Sequence, residues 1–157
     1  MRALVITVSD RVSRGEAEDR SGPAAVEALV AAGFETGSTV VADGVESVAT
    51  VLRSSVAEGF DLVVTTGGTG MSPRDLTPEA TRSVIEREAP GLAEAMRAAT
   101  FGVNPHGMLS RGVCGIVGAT LIINLPGSVR GVVESLEIVI PALRHAVELI
   151  AQTPTEH

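Results

Sequence analysis

The chain has 157 residues, 45% of them hydrophobic, with a mean hydropathy of +0.32 and a formal net charge of −7. This length and composition are typical of one globular domain with a substantial core, and no apolar run approaches the roughly 20 residues that span a membrane. The acidic balance and the absence of Trp and Tyr argue against a nucleic-acid partner, because phosphate backbones attract basic surfaces and bases stack on aromatic rings.

The first half of the chain alternates apolar runs with amphipathic stretches. The run from Ala3 to Val8 is typical of a strand that is covered on both faces. Because the chain turns polar at Ser9, too early for a signal peptide, we expect a cytoplasmic protein. The predicted elements of this half are a strand over 3–8, a loop over 9–21, a helix from Gly22-Pro23 to Gly33, a strand over 39–42 and a helix from Val45 that stops at Gly59.

The second half continues the alternation and adds a hairpin. Its only cysteine, Cys114, lies in an apolar stretch and is predicted to be a buried core residue rather than a nucleophile. The predicted elements are a strand from Leu62, a helix from Pro78 to about Glu88, a break at Pro90-Gly91, a helix containing Leu92, Met96 and Ala99, a hairpin over 112–125 that turns at Gly118-Ala119, and a helix over 128–151 that is broken or kinked at Pro141.

Alternating strands and helices predict an α/β protein, a three-layer α/β/α sandwich with a mostly parallel sheet. The hairpin is expected to contribute one antiparallel strand. No linker, repeat or low-complexity tract interrupts the pattern, so we predict a single domain over residues 1–152 and a flexible tail over 153–157.

Polar or glycine-rich segments follow each of the four predicted parallel strands. In parallel sheets the carboxyl ends of the strands lie at one edge, where ligands bind at the point of strand-order reversal. We therefore expect these segments to line one crevice. The segments are Ser9-Asp10-Arg11, Asp43-Gly44, Thr66-Gly67-Gly68-Thr69-Gly70 and Pro126-Gly127-Ser128.

The third of these segments carries the strongest functional signal. Its glycines allow close approach of backbone N–H groups to an anion, its threonines add hydroxyl donors, and Arg74-Asp75 follows with a fixed positive charge and a carboxylate. It matches neither the Walker motif, since the chain has no lysine, nor the dinucleotide fingerprint. The alternative is a strand-to-loop connection that needs only a flexible backbone; the Arg-Asp-Leu-Thr-Pro-Glu that follows favours a site for a phosphorylated ligand.

The chain resembles the MogA/MoaB-like molybdopterin adenylyltransferase family of molybdenum cofactor biosynthesis. The resemblance runs from about residue 3 to residue 150, and the Gly-Gly-Thr-Gly with its spaced Arg-Asp-x-Thr-Pro is its specific part. The matching stretches are Ser9-Asp10-Arg11 with Asp19-Arg20-Ser21-Gly22-Pro23, Thr65 to Gly70 with Arg74 to Glu79, Asn124 to Ser128, and more weakly Leu109-Ser110-Arg111.

The resemblance implies transfer of AMP from ATP, with Mg²⁺, to the terminal phosphate of molybdopterin, with release of pyrophosphate. It also implies a homo-oligomer, a trimer or a hexamer, that could contact other proteins of molybdenum cofactor biosynthesis. Asp43 and Asp75 match the two functional aspartates, which are expected to act in catalysis and to hold Mg²⁺. The implied ligand-binding residues are Ser9, Asp10, Arg11, Thr66, Gly67, Gly68, Thr69, Gly70, Arg74, Ser110, Arg111, Asn124, Pro126, Gly127 and Ser128.

Structural roles remain open for both aspartates. Asp75 could be a carboxylate at a helix entry, and Asp43 an ordinary turn residue before Gly44. Ala42-Asp43-Gly44 also departs from the family pattern, in which a proline often precedes the aspartate and an acid follows it. A non-catalytic pterin-binding paralogue and a scaffold domain are the alternative functions.

Overall fold

The computed structural model describes residues 1–151; the predicted tail over 153–157 lies outside the described residues. The chain forms six strands and six α-helices in this range. They are β1 Arg2–Val8, α1 Asp10–Ser13, α2 Ser21–Ala31, β2 Glu35–Val41, α3 Val45–Ala57, β3 Leu62–Thr66, α4 Thr77–Arg82, β4 Arg87–Glu88, α5 Pro90–Ala98, β5 Cys114–Val117, β6 Thr120–Leu125 and α6 Val129–Ala151, with a 3₁₀ helix over Pro105–Leu109.

The six strands form one sheet in the order β2-β1-β3-β6-β5-β4. β1 pairs in parallel with β2 and β3, and β3 pairs in parallel with β6. β5 is antiparallel to β6 on one side and to β4 on the other, so it is the antiparallel strand that the hairpin predicts. The mostly parallel α/β fold is thereby confirmed.

Helices cover both faces of the sheet. On one face, α2, α5 and α6 pack through residues such as Leu29, Met96 and Leu136 against β-strand side chains that include Val64 and Ile123. On the other face, α3 and α4 bury Leu52 and Ala80 among a second group of strand residues. The central strand β3 is buried along its whole length, which explains the apolar run from Leu62 to Val64 at its start. The arrangement is the predicted three-layer sandwich.

The second half of the chain differs from prediction in three places. The helix predicted to reach Glu88 ends at Arg82, and the short edge strand β4 follows, paired with β5. Pro90 does not break a helix but begins α5, since a proline at the first helical position loses no hydrogen bond. The last helix, predicted to be broken or kinked at Pro141, has no break there and runs from Val129 to Ala151 with Pro141 inside it.

Two differences occur in the first half. The loop predicted over 9–21 contains the short helix α1, whose N-cap Ser9 accepts a hydrogen bond from the backbone N–H of Val12. Strand β2 begins at Glu35, four residues before its prediction, because its pairing with β1 extends back to Arg2. Among the helices of residues 1–151, none combines the length and the apolar character of a membrane span.

The Cys114 thiol is buried, as predicted, at the start of β5. Burial raises its pKa to about 12, so the thiol stays neutral at physiological pH. A neutral, enclosed thiol is a poor nucleophile, which supports its role as a core residue.

Candidate functional site

The loops that follow β1, β3 and β6 meet at the carboxyl edge of the sheet. A Cβ atom on Gly67 would lie 2.5 Å from the carbonyl oxygen of Val8, and one on Gly127 would lie 3.2 Å from the Cα of Gly67. The backbone N–H of Gly67 also donates to the carbonyl of Leu125, at 3.2 Å. Backbone therefore packs directly on backbone here, which leaves no room for a side chain at Gly67 and very little at Gly127.

The two aspartates lie against opposite ends of the glycine loop, residues 67–70. A Cβ on Gly68 would come within 3.3 Å of Asp43 Oδ1, and a Cβ on Gly70 within 2.9 Å of Asp75 Oδ2. The sequence places these aspartates after different strands, and the fold brings both beside the same loop. Asp75 Oδ2 also accepts a hydrogen bond from the backbone N–H of Ser72, at 3.0 Å, which fixes the carboxylate within its own turn.

Asp43 belongs to a network that joins three loops. The backbone N–H of Asp10 donates to Asp43 Oδ2 at 2.8 Å, and the backbone N–H of Asp43 donates back to Asp10 Oδ1 at 3.1 Å. The Arg74 guanidinium donates to Asp10 Oδ2 at 2.7 Å and to the carbonyl of Asp43 at 3.3 Å. Hydrogen bonding to Arg74 holds the pKa of Asp10 below its usual value. Asp10 pairs with Arg74, and its neighbour Arg11 is exposed on α1.

Arg111 braces the glycine loop. Its Nε donates to the carbonyl of Gly70 at 2.8 Å, another N–H donates to the carbonyl of Asp75, and its backbone N–H donates to the carbonyl of Thr69 at 2.8 Å. The guanidinium also forms a salt bridge with Glu79, and this contact lowers the pKa of the Glu79 carboxyl. Most donors of Arg111 are thus directed at the loop and at Glu79.

A cleft of about 590 Å³ opens beside the glycine loop, a volume within the usual range for small-molecule sites. Its lining contains carboxylates from Asp75, Glu134 and Glu137 and the imidazole of His106, but no arginine. The predicted site residues that line it are Gly68, Thr69, Gly70, Asp75, Ser110, Pro126, Gly127 and Ser128.

One wall of the cleft comes from α6 and was missed by the sequence analysis. Gly131, Ser135 and Ile138 line it, three and four residues apart, together with Glu134 and Glu137. Their helical spacing was visible in the sequence, but it also fits an ordinary amphipathic helix. Only the packing of α6 beside the loop after β6 shows that these residues line a cleft and are not simply one face of an amphipathic helix.

The remaining predicted ligand-binding residues lie outside the cleft. Ser9 and Thr66 line a neighbouring depression of about 350 Å³, and Gly127 borders both spaces. Asn124 is buried, and its side-chain amide hydrogen-bonds to Thr65, Thr81 and the backbone N–H of Val113. Asn124 therefore stabilises the strands and loops that form the site. Its contact with a ligand stays a prediction.

The family described as "probable molybdopterin binding domain" matches residues 4–145 of this sequence. The chain belongs to this molybdopterin-binding domain family. Its membership agrees with the fold, since a MogA structure superposes with a TM-score of 0.92 at 44% identity, covering 96% of this chain and all of the other. The molybdopterin biosynthesis enzyme MoaB from Thermus thermophilus gives a TM-score of 0.91 at 48% identity, with 98% of each chain covered.

Curated relatives carry related names. A molybdopterin adenylyltransferase from Helicobacter pylori J99 is 43% identical over 150 residues, which cover 93% of this chain and 85% of that protein. Gephyrin from Dictyostelium discoideum is 40% identical over 96% of this chain. The chain spans about a fifth of that gephyrin's length, 22%.

Each of the two aspartates has the oxygen ligands that a divalent cation prefers. Within residues 1–151, neither Asp43 Oδ1 nor Asp75 Oδ1 accepts a hydrogen bond, so each carboxylate has one oxygen available. The same residues contain no group of three or more His, Cys, Asp or Glu side chains placed to hold a metal. Magnesium is commonly bound by one or two carboxylates together with substrate phosphates, and a pair of separate aspartates suits that mode.

Proposed function

We propose that this protein acts in molybdenum cofactor biosynthesis as a molybdopterin adenylyltransferase, transferring AMP from ATP to the terminal phosphate of molybdopterin and releasing pyrophosphate. The observation that carries the proposal is the placement of Asp43 and Asp75 against the two ends of the glycine loop, with Asp75 in the wall of the cleft. The names of the H. pylori relative and of a 39% identical Escherichia coli K12 relative, both molybdopterin adenylyltransferases, support it.

In this proposal, the glycine loop and the start of α6 bind phosphate groups. The amino end of α6 lies beside Ser128, and a helix amino terminus favours anions. The Ser128 hydroxyl oxygen accepts from the backbone N–H of Gly131, at 3.1 Å, and so fixes this end of the helix. Donors held rigidly before the ligand arrives lower the barrier, because they need not reorganise as charge develops on the transferring phosphate.

Asp43 and Asp75 would hold Mg²⁺, which when bound neutralises negative charge on the phosphates of ATP. The need for such neutralisation follows from the cleft itself, whose lining has three carboxylates and no arginine. The arginines expected to contact phosphate have other roles. Arg74 bridges Asp10 and the carbonyl of Asp43, and Arg111 braces the glycine loop, so both position the carboxylates and the loop.

The alternative function is a pterin-binding paralogue without catalysis, which would have the same cleft and loop. The available oxygen on each aspartate favours the enzyme, because binding a pterin alone gives no reason for two carboxylates beside a phosphate loop. A scaffold role is the third candidate. The cytoplasmic location and contacts with other proteins of molybdenum cofactor biosynthesis stay predictions.

The deciding experiment measures pyrophosphate release by the purified protein with ATP, Mg²⁺ and molybdopterin. We expect pterin-dependent release, and a loss of about 100-fold or more in kcat for Asp75→Asn, the magnitude typical of removing a preorganised charge-stabilising group. Asp61→Asn is the matched control. The Asp61 carboxylate also accepts one backbone N–H, from Arg2 at 2.6 Å, but lies before β3 at the opposite edge of the sheet.

Three outcomes separate the candidate functions. Release that is lost in Asp75→Asn and kept in Asp61→Asn supports the enzyme and its carboxylate. Pterin binding without release supports the paralogue. Full activity of Asp75→Asn with unchanged magnesium dependence would remove Asp75 from the mechanism.

A further inference from the structure

A second depression, of about 370 Å³, lies near the cleft where α4, α5 and the start of β5 come together. We call it the arginine groove, because its lining includes Arg82, Arg97 and Arg111 against a single carboxylate, Glu88. Its charge is opposite in sign to the net charge of −7 of the whole chain. Such a local concentration of positive charge attracts anions even on an acidic protein.

Two of the three guanidinium groups retain most of their hydrogen-bond donors. In the described part of the chain, Arg82 donates no hydrogen bond, and its Nε lies 3.6 Å from the Glu88 carboxylate. Arg97 donates one hydrogen bond, from a terminal nitrogen to the carbonyl of Gly112 at 2.9 Å. A guanidinium presents several N–H donors in a planar fork that matches two oxygens of a phosphate group.

The arginine groove is joined to the proposed active site through shared residues. Ser110 lines the groove and the main cleft, and a small cavity of about 40 Å³ that includes Ser110, Arg97 and Met96 lies between them. Arg111 contributes to the groove while its guanidinium holds the carbonyls of Gly70 and Asp75. An anion that drew Arg111 toward the groove would therefore loosen its hold on the glycine loop.

We propose that the arginine groove binds a phosphate-type oxyanion, free inorganic phosphate or pyrophosphate, and that the bound oxyanion acts on the glycine loop through Arg111. Charge-assisted, bidentate contacts from Arg82 and Arg97 supply the affinity. The binding site is separate from the two aspartates, so it stands or fails independently of adenylyl transfer.

Isothermal titration calorimetry tests the site directly. The wild-type protein is titrated with inorganic phosphate and, separately, with pyrophosphate, at low ionic strength and without divalent cations. The double variant Arg82→Gln/Arg97→Gln is expected to bind at least about tenfold more weakly, since it removes the charged, bidentate donors of both guanidinium groups. The control, Arg53→Gln/Arg87→Gln, removes the same charge at two exposed positions outside the groove and should change the affinity by less than about twofold.

NMR of the arginine Nε–H and backbone amide resonances locates the bound anion in the wild-type protein. Titration should shift the Arg82 and Arg97 resonances together with the amides of Gly70 and Met71, because Arg111 donates to the carbonyls of Thr69 and Gly70 in the same peptide groups. The anion that saturates these shifts at the lower concentration is the preferred ligand. Absence of binding by the wild type, equal binding by the double variant, or shifts confined to residues 67–70 would overturn the proposal.

Discussion

At the scale of single residues, the glycine loop depends on the absence of side chains at its glycines. Gly68 has a φ of +64°, and a Cβ there would lie 2.2 Å from the Oγ1 of buried Thr77, whose hydroxyl donates to the carbonyl of Gly67. A side chain at this position would meet both backbone strain and a steric clash. Either the loop or the start of α4 would have to move.

We therefore expect Gly68→Ala to lower the free energy of unfolding by more than about 2 kcal/mol, as measured by urea denaturation. Gly118→Ala is the matched control. Gly118 also has a positive φ, 53°, but a Cβ there has no atom within 4 Å, so the change should cost only about 1 kcal/mol of backbone strain. An equal loss of unfolding free energy in the two variants would mean that the clash with Thr77 adds no destabilisation, which would contradict the prediction.

The Asp10–Arg74 ion pair should make the stability of the protein depend on pH. Arg74 lowers the pKa of Asp10 in the folded protein, so the pair contributes stability that is present above the unfolded-state pKa and is lost as pH falls through the folded-state pKa. Arg74→Gln should raise the Asp10 pKa toward its usual value. The measurement is a ¹³C NMR titration of the carboxyl carbons between about pH 2 and 6, with Arg82→Gln as the control variant that leaves Asp10 unchanged.

At the scale of elements, Asn124 ties β6 to its surroundings. Its amide donates to the hydroxyls of Thr65 on β3 and Thr81 on α4, at 3.0 and 2.9 Å, and its carbonyl accepts from the backbone N–H of Val113 at 3.2 Å. These partners come from three different parts of the chain. The buried Asn124 side chain thus fixes the position of the end of β6, and of the loop that follows it, relative to β3 and α4.

Asn124→Ala should leave those three buried groups without partners. We expect a loss of about 2–4 kcal/mol in the free energy of unfolding, because each unsatisfied buried group keeps its desolvation cost. Thermal and urea unfolding measure it, with Asn104→Ala as the control, since the Asn104 side chain makes one exposed hydrogen bond to the N–H of His106. A change below about 1 kcal/mol would contradict this role for Asn124.

The strands that the sequence predicted best are the ones buried on both faces. β1, β3 and β6 each contain a run of at least three consecutive apolar residues, so their sequence reports their burial directly. β4 has only Arg87 and Glu88, both exposed, and exists because β5 lies beside it. Its sequence carries no strand signal of its own, and a helical prediction there was the natural error.

The same distinction holds within the site. The convergence of the aspartates and glycines was predictable because they follow strands whose carboxyl ends meet at one edge of the sheet. The bracing role of Arg111 and the pairing of Arg74 with Asp10, 64 residues away, were not predictable. An arginine can reach many partners, and only the fold determines which carboxylates and carbonyls lie within its range.

At the scale of the whole molecule, several large apolar side chains remain exposed. Phe101 and Val103 are 74% and 72% exposed, and Leu149 near the end of α6 is 56% exposed. Apolar side chains that are exposed close together, as Phe101 and Val103 are along the chain, are commonly covered in an assembly. They support the prediction of a homo-oligomer, although the predicted trimer or hexamer stays a prediction.

Sedimentation velocity at micromolar concentration tests the assembly. We expect a particle of three or six copies of the 16.1 kDa chain. Dilution over a hundredfold range should leave a stable assembly unchanged. A particle with the mass of one chain at every concentration would contradict the prediction and leave the apolar surface to another partner.

Because Gly67 packs directly on Gly127, the site can form only late in the synthesis of the chain. The ribosome releases β1, β2 and β3 long before β6, yet β3 pairs with β6, and Asn124 reaches Thr65 across 59 positions of sequence. Until residue 127 has left the exit tunnel, the glycine loop lacks the backbone on which it rests. A nascent chain stalled before that point should bind no nucleotide, however complete its first three strands are.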